Sequence, residues 1–449
     1  MISVRKIFQG IKGSIDGDVA VSSVNQSFRL ISGPLLLVMI PIFLKPEIQG
    51  YWFTFGSISA LSIFADLGFT TIILQFSAHE FAHLKMNPDG TLEGPSEFLG
   101  RLSSLFRFVL KWTGFLVAIA FPVIFTVGWA IFSRKGDTHI WLMPWVIYVA
   151  ASALGFLNSV VSSFVTGCNQ VANIQKRLFF VSITQVFVTL ISLFLGTGLY
   201  AIGLGYIVGN IVSSALLLVK YSALFKIMLT KVENAFKWGR DIFRLLWKYA
   251  LSWSSGYLIF QIYTPFMFIF HGPVEAGKVG ISISLATAMF SISNIWIAAN
   301  TPKFNMMVSK GDWKQLDRQF RKNLLLSMGT YLCGIIALGV TAYTLSGRWT
   351  IFDKLAARFV SSLALSMLVV GWFMQLIING LAVYLRAHKQ EPLVVPSIVS
   401  GLFLVVATYF SGELLPSYLY FSGFLVSYAF GMPWVFLVFV KKRQKWHQS

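Results

Sequence analysis

The sequence predicts an all-α polytopic membrane protein, with about twelve transmembrane helices in two six-helix bundles related by a parallel repeat. Three observations predict this class. The 449 residues are 56% apolar and 12% charged, against about 45–50% and about a quarter in an ordinary soluble domain. Phe supplies 42 residues and Trp 14, more apolar surface than so few charges can keep from water. The mean hydropathy is +0.71, and apolar stretches of about 20 residues, the length that spans a bilayer, recur along the chain. These observations exclude a soluble enzyme, a secreted disulfide scaffold and a nucleic-acid-binding domain.

Hydropathy places the spans at 20–44, 50–76, 108–132, 140–165, 178–197, 200–219, 249–270, 278–300, 323–346, 360–385, 393–411 and 417–440. The first is long, carries Arg29 and lacks a small-residue cleavage site, so it is expected to remain as an anchor rather than leave as a signal peptide. Cys168 and Cys333 both sit in apolar stretches and say nothing about redox compartment.

The net charge of +19 would point to a polyanion in a soluble protein. Here it reads as topology. With the N-terminus inside, the external turns hold only Lys45, Arg134, Lys135, Lys278, Arg348, Lys354 and Arg358 of the 36 Lys and Arg. Apart from Arg29, the rest fall on the cytoplasmic side, as the positive-inside rule requires. Both termini are then cytoplasmic, and Lys441–Lys445 anchors the last helix.

The most basic loop lies at mid-chain and holds Lys220, Lys226, Lys231, Lys237, Arg240, Arg244 and Lys248. It divides the chain into an N-terminal bundle (1–219), a cytoplasmic linker (220–248) and a C-terminal bundle (249–449). Phe236, Ile242, Phe243 and Leu246 among the cations suggest an amphipathic helix on the anionic inner leaflet. The halves look alike. The second span opens Glu47-Ile48-Gln49-Gly50 and runs to Asp66, and the eighth opens Glu275-Ala276-Gly277-Lys278 and runs to Asn294. A parallel repeat of this kind is a common plan for alternating-access transporters.

Ionisable groups within a span are costly and therefore functional candidates. Arg29 and Asp66 are the two that fall clearly inside, each about 14 Å from the inner surface at 1.5 Å per residue. An Arg29–Asp66 pair facing a cavity, or one locking two helices together, satisfies both. Ser22, Asn25, Gln26, Arg29 and Gly33 share one face of the first span, and Ser59, Ser62, Asp66 and Thr70 one face of the second. A guanidinium suits phosphate, and a carboxylate suits a protonation switch. Polar stripes continue through Ser152, Ser159, Ser162, Thr166, Asn169 and Asn173 in the fourth span and through Ser182, Gln185, Thr189 and Ser192 in the fifth. Gln261, Thr287, Ser291 and Asn294 extend them, either as interhelical bonding or as the lining of a polar interior. Trp52, Trp253, Trp296, Tyr257 and Tyr263 are available to stack on sugar rings.

His79-Glu80-Phe81-Ala82-His83 is a literal H-E-x-x-H, which on a helix sets two imidazoles and a general base on one face. A zinc metalloprotease is therefore one reading, but a catalytic zinc needs a third ligand and no later span offers one. The other reading gives His79 and Glu80 a part in a cytoplasmic gate or in ion coupling, together with Arg101, Arg107, Lys111, Lys248 and Lys303.

Residues 45–85 resemble the O-antigen flippases (Wzx type) of the polysaccharide-exporter branch of the MOP (MATE-like) superfamily. The likeness rests on Gly50-Tyr51-Trp52-Phe53-Thr54-Phe55, Phe64-Ala65-Asp66-Leu67-Gly68-Phe69 and Gln75-Phe76-Ser77-Ala78-His79-Glu80. It implies a flippase that carries a polyprenyl (undecaprenyl) pyrophosphate-linked oligosaccharide to the external leaflet by alternating access, serving O-antigen and lipopolysaccharide biosynthesis. Substrate would be met by Arg29, Asp66, Asn25, Gln26, Gln261 and Asn294, with no enzymatic step, metal or cofactor. Coupling to protons or sodium stays open. Anionic inner-leaflet lipids and other polysaccharide-assembly membrane proteins are the further partners implied. The alternative is a cation-coupled small-molecule or drug exporter of the same superfamily. A polymerase or glycosyltransferase would need a large external loop, and the longest external turn here is short.

Overall fold

Hydrocarbon offers a backbone no hydrogen-bond partners, so a chain this apolar must satisfy its peptide groups within helices. The computed structural model describes residues 17–87, 90–135, 137–229, 236, 238–388 and 390–448, and they are almost wholly helical. The helices are α1 (Gly17–Phe43), α2 (Pro46–Ser59), α3 (Ile63–Asp66), α4 (Phe69–Phe81), α5 (Ser96–Phe132), α6 (Thr138–Gly167), α7 (Val171–Phe194), α8 (Tyr200–Leu229) and α9 (Gly239–Phe260). They continue as α10 (Tyr263–His271), α11 (Pro273–Ser293), α12 (Ile295–Ala298), α13 (Thr301–Lys310), α14 (Trp313–Leu345), α15 (Thr350–Ala356), α16 (Ser362–Ala387), α17 (Val394–Leu414) and α18 (Ser422–Gln448). Two short antiparallel strands, β1 (Lys85–Met86) and β2 (Leu92–Glu93), pair Lys85 with Glu93 and Met86 with Leu92.

Among the described residues, nine helices are long and apolar enough to cross a membrane, and the count is ten when α2–α4, bent by 43°, is taken as one span. The expected span at 249–270 is instead two helices, α9 and α10, separated at Gln261–Ile262. The expected start at 178 falls inside α7, which begins at Val171.

The chain divides into two compact units. One takes the described chain up to Leu36 and Leu61–Trp253; the other takes Leu37–Ala60 and continues from Ser254. The outer part of α1 and all of α2 thus pack with the second half of the chain, whereas the boundaries read from sequence keep them with the first.

In the first unit Phe132, Trp141 and Trp145 are fully buried, and the Trp145 indole N–H donates to the Phe125 carbonyl at 3.1 Å. In the second unit Ile297, Phe304, Leu316, Phe320, Tyr384 and Phe439 form one apolar cluster. The Tyr384 hydroxyl beside it donates to Asp317 at 2.8 Å, and Arg443 pairs with the same carboxylate. The α2 helix packs on α11 without space between their backbones: a Cβ at Gly50 would land on the Pro273 peptide. Gln49, buried beside it, donates to the Gly277 carbonyl at 3.0 Å. The first stretch of the family resemblance is therefore a packing seam.

Candidate functional site

Of the polar residues singled out within spans, Asp66 sits at a sharp helix break, and Gln261 and Asn294 at interruptions of one or two residues. After α2 the chain tightens into a 3₁₀ turn at Ala60–Ser62 and the short α3, then takes left-handed backbone at Leu67 (φ 44°) and Gly68 (φ 85°). Glycine adopts that conformation freely, and leucine does so at a cost. A new helix beginning there has unpaired N–H groups. Asp66 supplies the acceptors: its Oδ1 takes the Thr70 N–H at 3.0 Å and its Oδ2 takes the Thr70 hydroxyl at 3.0 Å. The Phe64–Phe69 stretch of the resemblance is thus a helix break, with Asp66 capping the half-helix that follows.

Gln261 lies half-buried at the α9–α10 break. Asn294 lies at the α11–α12 break and accepts from the Asn379 amide at 2.9 Å. Asn25 is buried and donates to Gln175 at 3.0 Å, holding α1 to α7. Gln26, Arg29, Trp253 and Lys248 lie outside the residues whose side chains are described.

The stripes of hydroxyls have a local explanation. Ser152, Ser159, Thr166, Thr287 and Ser291 each donate to a carbonyl three or four residues back in their own helix. A hydroxyl satisfied in this way does not require a cavity.

At the end of α4 the H-E-x-x-H residues do not share a face suited to a metal. Glu80 is buried and turned inward, its carboxylate 3.0 Å from Arg101 Nε. His79 is 78% exposed, with its Nδ1 3.7 Å from Glu80. His83 follows the helix end and stacks on Phe98 at 4.0 Å. No group of three His, Cys, Asp or Glu suited to a metal occurs among the described residues. The geometry runs against the protease reading.

Glu80 and Arg101 instead anchor the segment that leads into α9. The Arg101 guanidinium lies 4.9 Å from the Phe236 ring and 5.8 Å from Trp238. Trp238 is buried, donates to the Ser104 hydroxyl at 2.9 Å and meets Phe76 edge-on at 5.5 Å. Ile242 is fully buried. Trp238 docks this segment against α4 and α5, while Phe236 and Phe243, two of the four apolar residues expected on an amphipathic face, are each 40% exposed. Among the described residues Arg107 reaches the Ser103 carbonyl, at 3.4 Å, while Lys111 and Lys303 are exposed.

One residue escaped the sequence reading. Arg177 is only 6% exposed and bonds through its guanidinium to Ser162 and Ser213. An expected span starting at 178 left it in a loop.

No protein-family model matches the chain, nor does any curated protein. Solved structures do. The chain is similar to a multidrug resistance MATE family transporter of the MOP superfamily in an inward-facing conformation, with 13% identity over 96% of this chain and 99% of that one and a TM-score of 0.63. It is similar to the lipid II flippase MurJ in an inward closed conformation, with 12% identity over 96% and 90% and a TM-score of 0.66. It is also similar to a MOP superfamily transporter from Pyrococcus furiosus, with 12% identity over 95% and 96% and a TM-score of 0.51. The fold is that of the MATE/MOP transporters and flippases, and the chain is a multi-pass membrane protein.

Proposed function

We propose that this protein is a flippase for a polyprenyl-pyrophosphate-linked oligosaccharide, an O-antigen or similar repeat unit, moved from the cytoplasmic to the external leaflet of a bacterial inner membrane. The observation that carries the reading is the broken second span. The residues resembling polysaccharide exporters, Phe64–Phe69, form an irregular segment within a MOP-type fold. Irregular backbone at membrane depth is tolerated where it is buried in protein or lines a water-filled cavity. On this reading Arg29 meets the pyrophosphate, and Asp66 couples the break to substrate or proton. Asn25, Gln26, Gln261 and Asn294 contact the glycan. His79, Glu80, Arg101, Arg107, Lys111, Lys248 and Lys303 serve the cytoplasmic mouth, and both termini are cytoplasmic.

A second reading, a cation-coupled small-molecule exporter, is favoured by the likeness to the multidrug transporter over nearly its whole length. Mass spectrometry of polyprenyl-pyrophosphate-linked glycans in cells with and without this gene separates the two. The flippase predicts accumulation of one lipid-linked repeat unit and loss of surface polysaccharide. It also predicts that Arg29→Ala reproduces the deletion while Arg29→Lys retains part of the activity. An unchanged lipid pool with intact surface polysaccharide rejects the flippase in favour of the exporter.

A further inference from the structure

Arg177 is a permanent cation buried among helices that offer it no counter-charge. The stretch 138–232, which includes all of α6, α7 and α8, contains no Asp or Glu. Arg177 projects from α7 to Ser162 on α6 and Ser213 on α8. Ser162 donates its own proton to the Asn158 carbonyl, so towards Arg177 it acts as an acceptor. The remaining guanidinium donor, Nε, is buried without a partner among the described residues. Hydroxyl dipoles soften a buried charge but do not neutralise it, and an uncompensated one is costly.

Two further cations lie on the same two packed helices, Lys176 on α7 and Lys220 on α8. Lys220 places its ammonium 5.9 Å from the ring centroid of Tyr221. Tyr221 is buried and lies within electrostatic range of the Arg177 guanidinium. Lys176, adjacent to Arg177 on α7, lies within electrostatic range of Lys220. Both lysines are exposed, so an anion can reach them from outside the bundle. The α8 helix departs from helical backbone at Tyr221 (φ −113°, ψ 19°). No ion pair among the described residues engages Lys176, Arg177 or Lys220. Three cations without an ion-pair partner among the described residues, on two helices packed together, form a site for a compact, multiply charged oxyanion, the kind of ligand that lysine and arginine grip together.

We infer that Lys176, Arg177 and Lys220, with Tyr221, form a phosphate-binding site at this end of α7 and α8. It takes a phosphomonoester or diphosphate group, either from a lipid headgroup or from a soluble molecule. The two lysines contact the oxyanion, and Arg177 supplies the fixed charge below. The inference rests on these residues alone and holds whichever substrate the transporter carries.

The experiment is thermal unfolding of the purified full chain, read by alkylation of Cys168, which is fully buried in the same unit. A Cys333→Ser background removes the exposed thiol. One arm titrates inorganic pyrophosphate against chloride of equal ionic strength. The other compares phosphatidylcholine vesicles with vesicles in which about a tenth of the lipid is phosphatidic acid. The site predicts a saturable rise in midpoint with at least one phosphate probe and none with chloride. A rise with pyrophosphate assigns a soluble ligand; a rise with phosphatidic acid alone assigns a headgroup. Lys176→Gln/Lys220→Gln, both changes on exposed side chains, should melt as wild type in phosphatidylcholine and need about tenfold more of the effective probe. Arg177→Lys, which keeps the charge, should lose less than Arg177→Gln. The inference is overturned if neither probe moves the wild type, if chloride matches pyrophosphate, or if the double lysine variant responds as wild type does.

Discussion

Arg101→Ala tests whether the Glu80–Arg101 pair holds the connector to α4 and α5 through charge or through packing. Glu80 is 2% exposed, so removing its partner strands a carboxylate inside the protein. Breaking a buried pair from one side costs about 3–5 kcal/mol. Arg101 is 31% exposed on its side chain, so water fills part of the gap and the lower end, about 3 kcal/mol, applies. Loss of the guanidinium from the Phe236 and Trp238 rings adds about 0.5–1 kcal/mol. For a unit of roughly 200 residues, each kcal/mol lowers the melting midpoint by about 2–4 °C, so about 3.5–4 kcal/mol gives a drop of about 7–16 °C. Cys168 alkylation in a Cys333→Ser background reads this, because Cys168 lies in the same unit as the pair. Adding Glu80→Gln to Arg101→Ala neutralises the stranded carboxylate and should recover about 1–2 kcal/mol of the loss. If the double variant melts no higher than Arg101→Ala, the charge argument fails and the cost belongs to the aromatic packing.

Two further outcomes follow from the second span. Asp66→Asn keeps a cap for α4, since Asn serves as well as Asp at an N-terminus, whereas Asp66→Ala should cost about 1–2 kcal/mol. The Asn variant should therefore melt as wild type yet fail to export if the charge is functional; wild-type export by Asp66→Asn would reduce Asp66 to a cap. Gly50→Ala should destabilise by about 3 kcal/mol, because the new methyl meets the Pro273 backbone rather than a flexible side chain. Heat-induced loss of the monodisperse peak on size exclusion would show it, and a wild-type profile would refute the tight α2–α11 seam.

The helices were legible because a bilayer demands long apolar runs. Where helices bend was not. Asp66 stood out as a costly residue, but its role as a cap depends on Leu67 adopting left-handed backbone, which hydropathy does not register. The nearest sequence signals are Gly68 two residues on and Thr70 four on. Arg177 was lost to a span edge set seven residues late, because apolar averaging discounts the polar first turns of α7. A search for acid-free stretches surrounding a cation would have found it. The hydroxyl stripes misled in the opposite direction. Their period is that of a helix face, yet i to i−4 donation to the helix's own carbonyls produces the same pattern. Glu80 and Arg101 were both selected as gate residues, but only tertiary packing reveals Phe236 and Trp238 closing over Arg101.

Asp66 and Asn294 meet different physical demands. A continuous helix in hydrocarbon pairs its own peptide groups; a broken one leaves N–H and C=O groups that polar side chains must meet. At Leu67–Gly68 the backbone turns left-handed and the helices on either side are bent by 43°, so the Thr70 N–H and hydroxyl need the acceptors that Asp66 supplies. At Asn294 the interruption is a single residue in right-handed helical backbone, and the apolar span runs on to Lys310. No peptide group is freed there for a side chain to meet, and the Asn294 side chain accepts from Asn379 instead. A carboxylate therefore stands at the sharp break and a neutral amide pair at the shallow one.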